Sequence, residues 1–268
     1  MADTYEQIEG ELCPECIFPI HLDASAKRWN LEQFKKENIR GVWWSVKLGH
    51  WACAKTHLDM CNRDDVNILN FFWEPIVLSC VSMSSPFFYG REVRWEEDIA
   101  RCVSVLAEAG ADVNKASAWF DATSPLLMTL KTGRVLLFKQ LLKLKADVNV
   151  LAHGKRNLLY YAVREDKEQF CWMLWAAGCS TTHKGGLFRC NITERCKKWI
   201  EGGVKVNCAV KEIMRLSACN EPQSLMDLSR NAVRSRLIAE HPNLLHPVSK
   251  LGLPSVIHNY ILLDVNFN

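Results

Sequence analysis

Ser124-Pro125-Leu126-Leu127-Met128-Thr129-Leu130, then Gly133, then Leu141-Leu142, then Ala146-Asp147-Val148-Asn149 is the stretch that decides the fold. Ser124 is a good N-cap, and Pro125 suits the first helical turn, where a missing N–H costs nothing. Leu141 and Leu142 are the apolar centre of a second helix. A glycine after such a helix takes the left-handed conformation that ends it; here Lys145 stands in its place. Asp147 and Asn149 shape the turn that follows.

The same register continues on both sides, which is the sign of a repeat array. Asn157-Leu158-Leu159-Tyr160-Tyr161-Ala162 opens the next unit, and Leu174 with Gly178-Cys179-Ser180 closes it. The step from Asp147 to Ser180 is about 33 residues, a length typical of helix-pair repeats. Upstream, Glu74-Pro75-Ile76-Val77-Leu78-Ser79-Cys80 opens a unit closed by Leu106 and Gly110-Ala111-Asp112-Val113-Asn114. The step from Asp112 to Asp147 is nearly the same. The span from Pro75 to Asp112 is longer than that from Pro125 to Asp147, so an insertion is expected at about 83–97, between the two helices. A more worn unit runs from Trp43-Trp44-Ser45-Val46 through Gly49-His50 and His57-Leu58 to Asp65-Val66-Asn67. Leu31 to Ile39 reads as a separate amphipathic capping helix. After Ser180 the turn His183-Lys184-Gly185-Gly186 leads to two helical stretches, Ile192 to Ile200 and Val206 to Leu216. They read as a degenerate cap, because the end of a stack must stop exposing apolar surface.

These units resemble ankyrin repeats. The resemblance covers about residues 29–216 and implies an all-α stack of helix pairs that bury their apolar faces only against each other.

A second pattern occupies the C-terminus. Pro222 breaks any preceding helix and Ser224 is a good N-cap. Leu225, Ser229 and Val233 recur every four residues, with Leu228 and Ala232 beside them, on one helical face. Such a stripe can seat in a partner's groove. Then comes Leu251-Gly252-Leu253-Pro254, followed by Val256, Ile257, Tyr260 and Ile261 at helical spacing. Together these segments resemble a SOCS box. Ser229 stands where cysteine is commonest, and Gly252 where the first proline of Leu-Pro-Leu-Pro is expected. The simpler alternative is a helical cap on the preceding domain.

The order of the two resemblances is that of the ankyrin-repeat and SOCS-box family, the substrate receptors of cullin-RING ubiquitin ligases. The expected layout is an irregular segment over 1–28, a capped ankyrin stack over 29–218 and a SOCS box over 222–263. The resemblance implies that Leu225, Leu228, Ser229, Ala232 and Val233 bind elongin C, with elongin B joining through it. It implies that Leu251, Leu253, Pro254, Ile257 and Tyr260 help select a cullin, which brings its RING subunit. The stack would hold the protein to be ubiquitinated. Phe87, Phe88 and Tyr89 in the insertion, with Trp73 and Trp119 in the fingers, are the candidate target contacts, since aromatics are good interface anchors.

Composition limits the other readings. At 49% hydrophobic and 24% charged the chain is that of an ordinary globular protein. Net charge +3 and a pI near 8.2 are too mild to argue for nucleic acid. No apolar run reaches the roughly 18 residues that span a membrane. Met1 to Glu6 lacks the charged-then-apolar layout of a signal peptide. The expectation is a cytoplasmic protein, with the nucleus open to it as well. The 12 cysteines are read as reduced thiols acting as small hydrophobes, as at Cys102, Cys171 and Cys196. Cys13-Pro14-Glu15-Cys16 is a lone pair. A zinc site would need two more ligands, and only His21 is near, so no metal and no cofactor is expected. His50, His57, His153, His183, His241, His246 and His258 are scattered, and no G-x-S-x-G, Walker loop or HExxH occurs. A non-catalytic adaptor is expected. The alternatives are a plain ankyrin scaffold and a zinc or redox module at Cys13 and Cys16.

Overall fold

The computed structural model describes residues 31–61, 63–67, 74–82, 95–117, 123–152, 156–179, 182–183, 190–191, 211, 225–240 and 244–262. These are predominantly helical, and no helix among them is long and apolar enough to cross a membrane. The chain divides into two compact units, Met1–Ala118 and Trp119–Asn268.

In the first unit α1 is Leu31–Leu48, α2 Trp51–Leu58, α3 Arg63–Val66, α4 Ile76–Ser82 and α5 Trp95–Glu108. α1 packs on α2, α2 on α5, and α4 on α5. The core is Val42, Val46, Cys53, Leu58, Val77, Leu78, Val81, Ile99, Val103 and Leu106, all buried. One expectation is corrected here. A capping helix over Leu31 to Ile39 was expected to stop before a new unit at Trp43. Instead α1 is one helix of 18 residues running through both. No proline interrupts it, and Gly41 within it is covered by the ring of His57 from α2. The insertion expected at about 83–97 lies mostly outside the described residues, and α5 begins at Trp95. Glu96, Glu97 and Asp98 favour a helix start there by meeting the positive end of the helix dipole.

In the second unit α6 is Pro125–Thr132, α7 Val135–Lys143, α8 Leu158–Arg164 and α9 Glu168–Ala176. Ser124 caps α6, accepting from the Leu127 N–H at 3.2 Å, with Pro125 in the first turn. Asn157 caps α8 in the same way, accepting from the Tyr160 N–H at 3.1 Å. α6 packs on α7 and α8, and α8 on α9. Phe138 and Phe170 meet edge to face at 4.9 Å between centroids, joining α7 to α9. The hairpin β1 (Leu151–Ala152) with β2 (Arg156–Asn157) leads into α8, with Leu151 opposite Asn157. A second hairpin pairs β3 (Thr182–His183) with β4 (Cys190–Asn191). Toward the C-terminus lie α10, Leu225–Glu240; α11, Leu245–Lys250; and α12, Ser255–Leu262.

Six helix ends share one geometry. Gly49, Gly110, Gly133, Lys145, Asp166 and Gly178 all have positive φ. In each case the following N–H reaches the carbonyl five positions earlier: His50 to Ser45, Ala111 to Leu106, Arg134 to Thr129, Ala146 to Leu141, Lys167 to Ala162 and Cys179 to Leu174. This is the Schellman closure, which satisfies carbonyls the helix leaves open. The step from Gly133 to Asp166 equals the step from Lys145 to Gly178. The turns that follow α5 and α7 are also alike. The Asn114 N–H bonds Asp112 Oδ1, and the Asn149 N–H bonds Asp147 Oδ1, each at 2.8 Å.

Adjacent turns are stitched together. In the first unit Asn67 Nδ2 donates to the Gly110 carbonyl at 2.9 Å, and its Oδ1 accepts from the Asp112 N–H at 2.8 Å. In the second, Lys167 Nζ donates to the carbonyls of Leu130 and Lys131 at the end of α6.

Candidate functional site

The site is built on α10. Its buried face is unusual in enclosing two arginines. Arg230, Arg234 and Leu237 recur at i, i+4 and i+7 and are buried, the arginines to 5% exposure. Ser229, Ala232 and Val233 lie on the other side, exposed. Val233 keeps 37% of its surface open while two guanidinium groups are enclosed. Helices in water usually do the opposite.

The arginines tolerate burial because each has a partner. Arg234 Nη1 donates to the Ile261 carbonyl of α12 at 2.5 Å, and Nη2 to the Leu142 carbonyl of α7 at 3.3 Å. The Arg230 guanidinium lies 4.5 Å over the ring of Tyr260, a cation–π contact. Burial, and then the charge of Arg230, pulls the Arg234 guanidinium down to about 10, which leaves it cationic at neutral pH. On the outer surface Arg236 pairs with Glu240 at 2.6 Å. That pair is open to water and adds little.

A small core holds the three last helices: Leu237 from α10, Leu244 and Val248 at α11, and Ile261 and Leu262 from α12. His258 on α12 bonds the Val248 carbonyl through Nε2. The link between α11 and α12 is Leu251 to Pro254. Gly252 has φ +61 there, and a Cβ would meet nothing within 4 Å. Its glycine is therefore required by backbone conformation, not by space. Proline, whose ring locks φ at a negative value, cannot adopt that angle. Pro254 precedes α12, and its carbonyl accepts from the N–H groups of Ile257 and His258.

Of the expected elongin contacts, Ser229, Ala232 and Val233 share the outward side of α10. Leu225 and Leu228 are in its first turns, with side chains outside the described residues. Of the expected cullin contacts, Leu251, Leu253, Pro254 and Ile257 are exposed. Tyr260 is half-buried and faces Arg230 within the chain. The expected target contacts Phe87, Phe88, Tyr89, Trp73 and Trp119 lie outside the described residues, as do Cys13, Cys16, Pro222 and Ser224. So do the helical stretches expected over 192–200 and, save residue 211, 206–216. Arg230 and Arg234 carry no motif in the sequence; the signal that marks them is their spacing with Leu237 on one helical face.

Elsewhere, Cys80, Cys102 and Cys179 are buried thiols outside any disulfide. Burial pushes all three up, Cys179 to about 12, so they remain protonated packing groups. Among the described residues no three His, Cys, Asp or Glu side chains are grouped to hold a metal ion.

Comparison with curated proteins gives no match to this chain. Residues 221–262 match the family model described as SOCS box, and that stretch of the chain, α10 to α12, is therefore a SOCS box.

Proposed function

We propose that this protein is the target-recruiting subunit of an elongin B/C–cullin–RING ubiquitin ligase. One observation carries the reading: α10 turns Ser229, Ala232 and Val233 to solvent and encloses Arg230 and Arg234. A helix that encloses two arginines while leaving Ala232 and Val233 open to solvent offers a surface that a partner can cover. The SOCS-box match over 221–262 supports elongin C as that partner. Leu225 would seat in a pocket, Ser229 would give clearance, and Val233 would extend the contact. Exposed Leu251, Leu253, Pro254 and Ile257 would face the cullin.

The helix pairs upstream are read as ankyrin repeats that hold the target. Two pairs of matching left-handed helix ends support this reading, Gly133 with Asp166 and Lys145 with Gly178. Each pair is separated by about 33 residues, the period of that repeat. The chain itself then performs no chemistry. It raises the effective concentration of the target beside a conjugating enzyme carried by the RING subunit.

The test is co-purification with elongins B and C. Capture is expected from the full chain and is expected to be lost on Leu225→Ala combined with Ser229→Phe. Equal capture by the double variant would refute the reading.

A further inference from the structure

The two hydrogen bonds of Arg234 leave it in different directions. One stays among the last helices, at the Ile261 carbonyl; the other reaches the Leu142 carbonyl, 92 residues away in sequence and in the last turn of α7. Within its own turn that carbonyl accepts a long bond, 3.4 Å, from the Lys145 N–H. The next carbonyl, of Lys143, accepts from the Leu244 N–H at 3.1 Å. Two consecutive carbonyls at the end of α7 are therefore held by the C-terminal box, one through a side chain and one through backbone. Cations are favoured at this end of a helix, where the dipole is negative. Asn231, also on α10, lies 3.9 Å from where a Cβ at Gly178 would sit, just past the end of α9. The inner side of α10 thus meets the ends of both second helices in this unit.

We propose that Arg234 is a positioning residue: it locks the C-terminal box onto the end of α7, so that the box and the helix pairs of this unit turn as one body. A ligase adaptor needs this because ubiquitin transfer depends on where the target sits relative to the conjugating enzyme, not only on whether it is bound. A loose joint spreads that position over many orientations. The guanidinium suits the task, since one planar group bonds carbonyls on two separate segments at once. The clamp is a property of the chain alone; its consequence for ubiquitin transfer rests on the function proposed above.

The test uses the full chain with Arg234→Ala and Arg234→Lys. Three quantities are measured: affinity for the elongin B/C pair, hydrogen exchange at the Leu244 amide, and the pattern of ubiquitin on the chain's own lysines in a ligase reconstituted with cullin and RING subunits. For Arg234→Ala, elongin affinity is expected to stay within about twofold of the parent. The Leu244 amide is expected to exchange about tenfold faster as the joint opens locally. Ubiquitin is expected to spread from a few lysines to many. Arg234→Lys keeps the charge and one bond, and is expected to fall between. Loss of elongin binding in Arg234→Ala would overturn the proposal, because Arg234 would then be needed to fold the box. Unchanged Leu244 exchange and an unchanged ubiquitin pattern would overturn it too. Should the unaltered chain fail to bind elongins, the ligase reading falls, and the Leu244 exchange still decides the clamp.

Discussion

The imidazole of His57 occupies the space that a side chain at Gly41 would need: a Cβ there would sit 2.6 Å from ring Nδ1. Gly41 lies within α1 and His57 near the end of α2, so this contact sets how closely the two helices approach. Gly41→Ala should therefore destabilise the first unit by about 1–3 kcal/mol through overpacking. This holds although alanine is the better helix former by about 1 kcal/mol. In a His57→Ala background the sign should reverse, with Gly41→Ala neutral or stabilising. Urea denaturation of the four chains in the cycle measures the coupling.

His57 also makes stability depend on pH. It is fully buried, and neither ring nitrogen has a hydrogen-bond partner among the described residues. Burial lowers its pKa below the ordinary 6.5. The unfolded chain then takes up a proton before the folded one does. Its contribution is fully present above about pH 6.5 and is lost as pH falls toward the folded value, at up to about 1.4 kcal/mol per pH unit. His57→Met should remove that part of the slope. Denaturation midpoints between about pH 7.5 and 5 check it: the stability gap between variant and parent must shift in favour of the variant as pH falls.

The recurring left-handed helix ends make opposite predictions at two positions. Lys145 holds φ +69 where the pattern favours glycine. Lys145→Gly should stabilise by about 1 kcal/mol, the cost of a left-handed side chain being removed. Gly133 has φ +75, and Gly133→Ala should destabilise by about the same amount. Thermal melts of the two variants should move in opposite directions.

Much of this was legible locally. Ser124, Pro125 and Asn157 announce helix starts by their own chemistry, and Gly133 and Gly178 announce helix ends. What was not legible depends on distant partners. Gly41 looks like an interruption of α1 until His57 is brought against it, which local pattern cannot report. Asp166 takes a left-handed turn that its residue type only permits. Arg230 and Arg234 look like the solvated side of α10; their partners are the ring of Tyr260 and the carbonyls of Ile261 and Leu142, all remote in sequence. Gly252 stands out as the residue in proline's place, but its left-handed angle is a fact of the folded turn.

The most direct measurement of the central claim is calorimetric titration of the elongin B/C pair into the full chain and into Ser229→Arg. Ser229 is exposed on α10, so the substitution should leave the fold and melting temperature of the free chain unchanged. A bulky cation in the middle of the docking face is predicted to weaken binding by at least about 100-fold, or about 3 kcal/mol. Undiminished binding by Ser229→Arg, or no binding by the unaltered chain, would contradict the account.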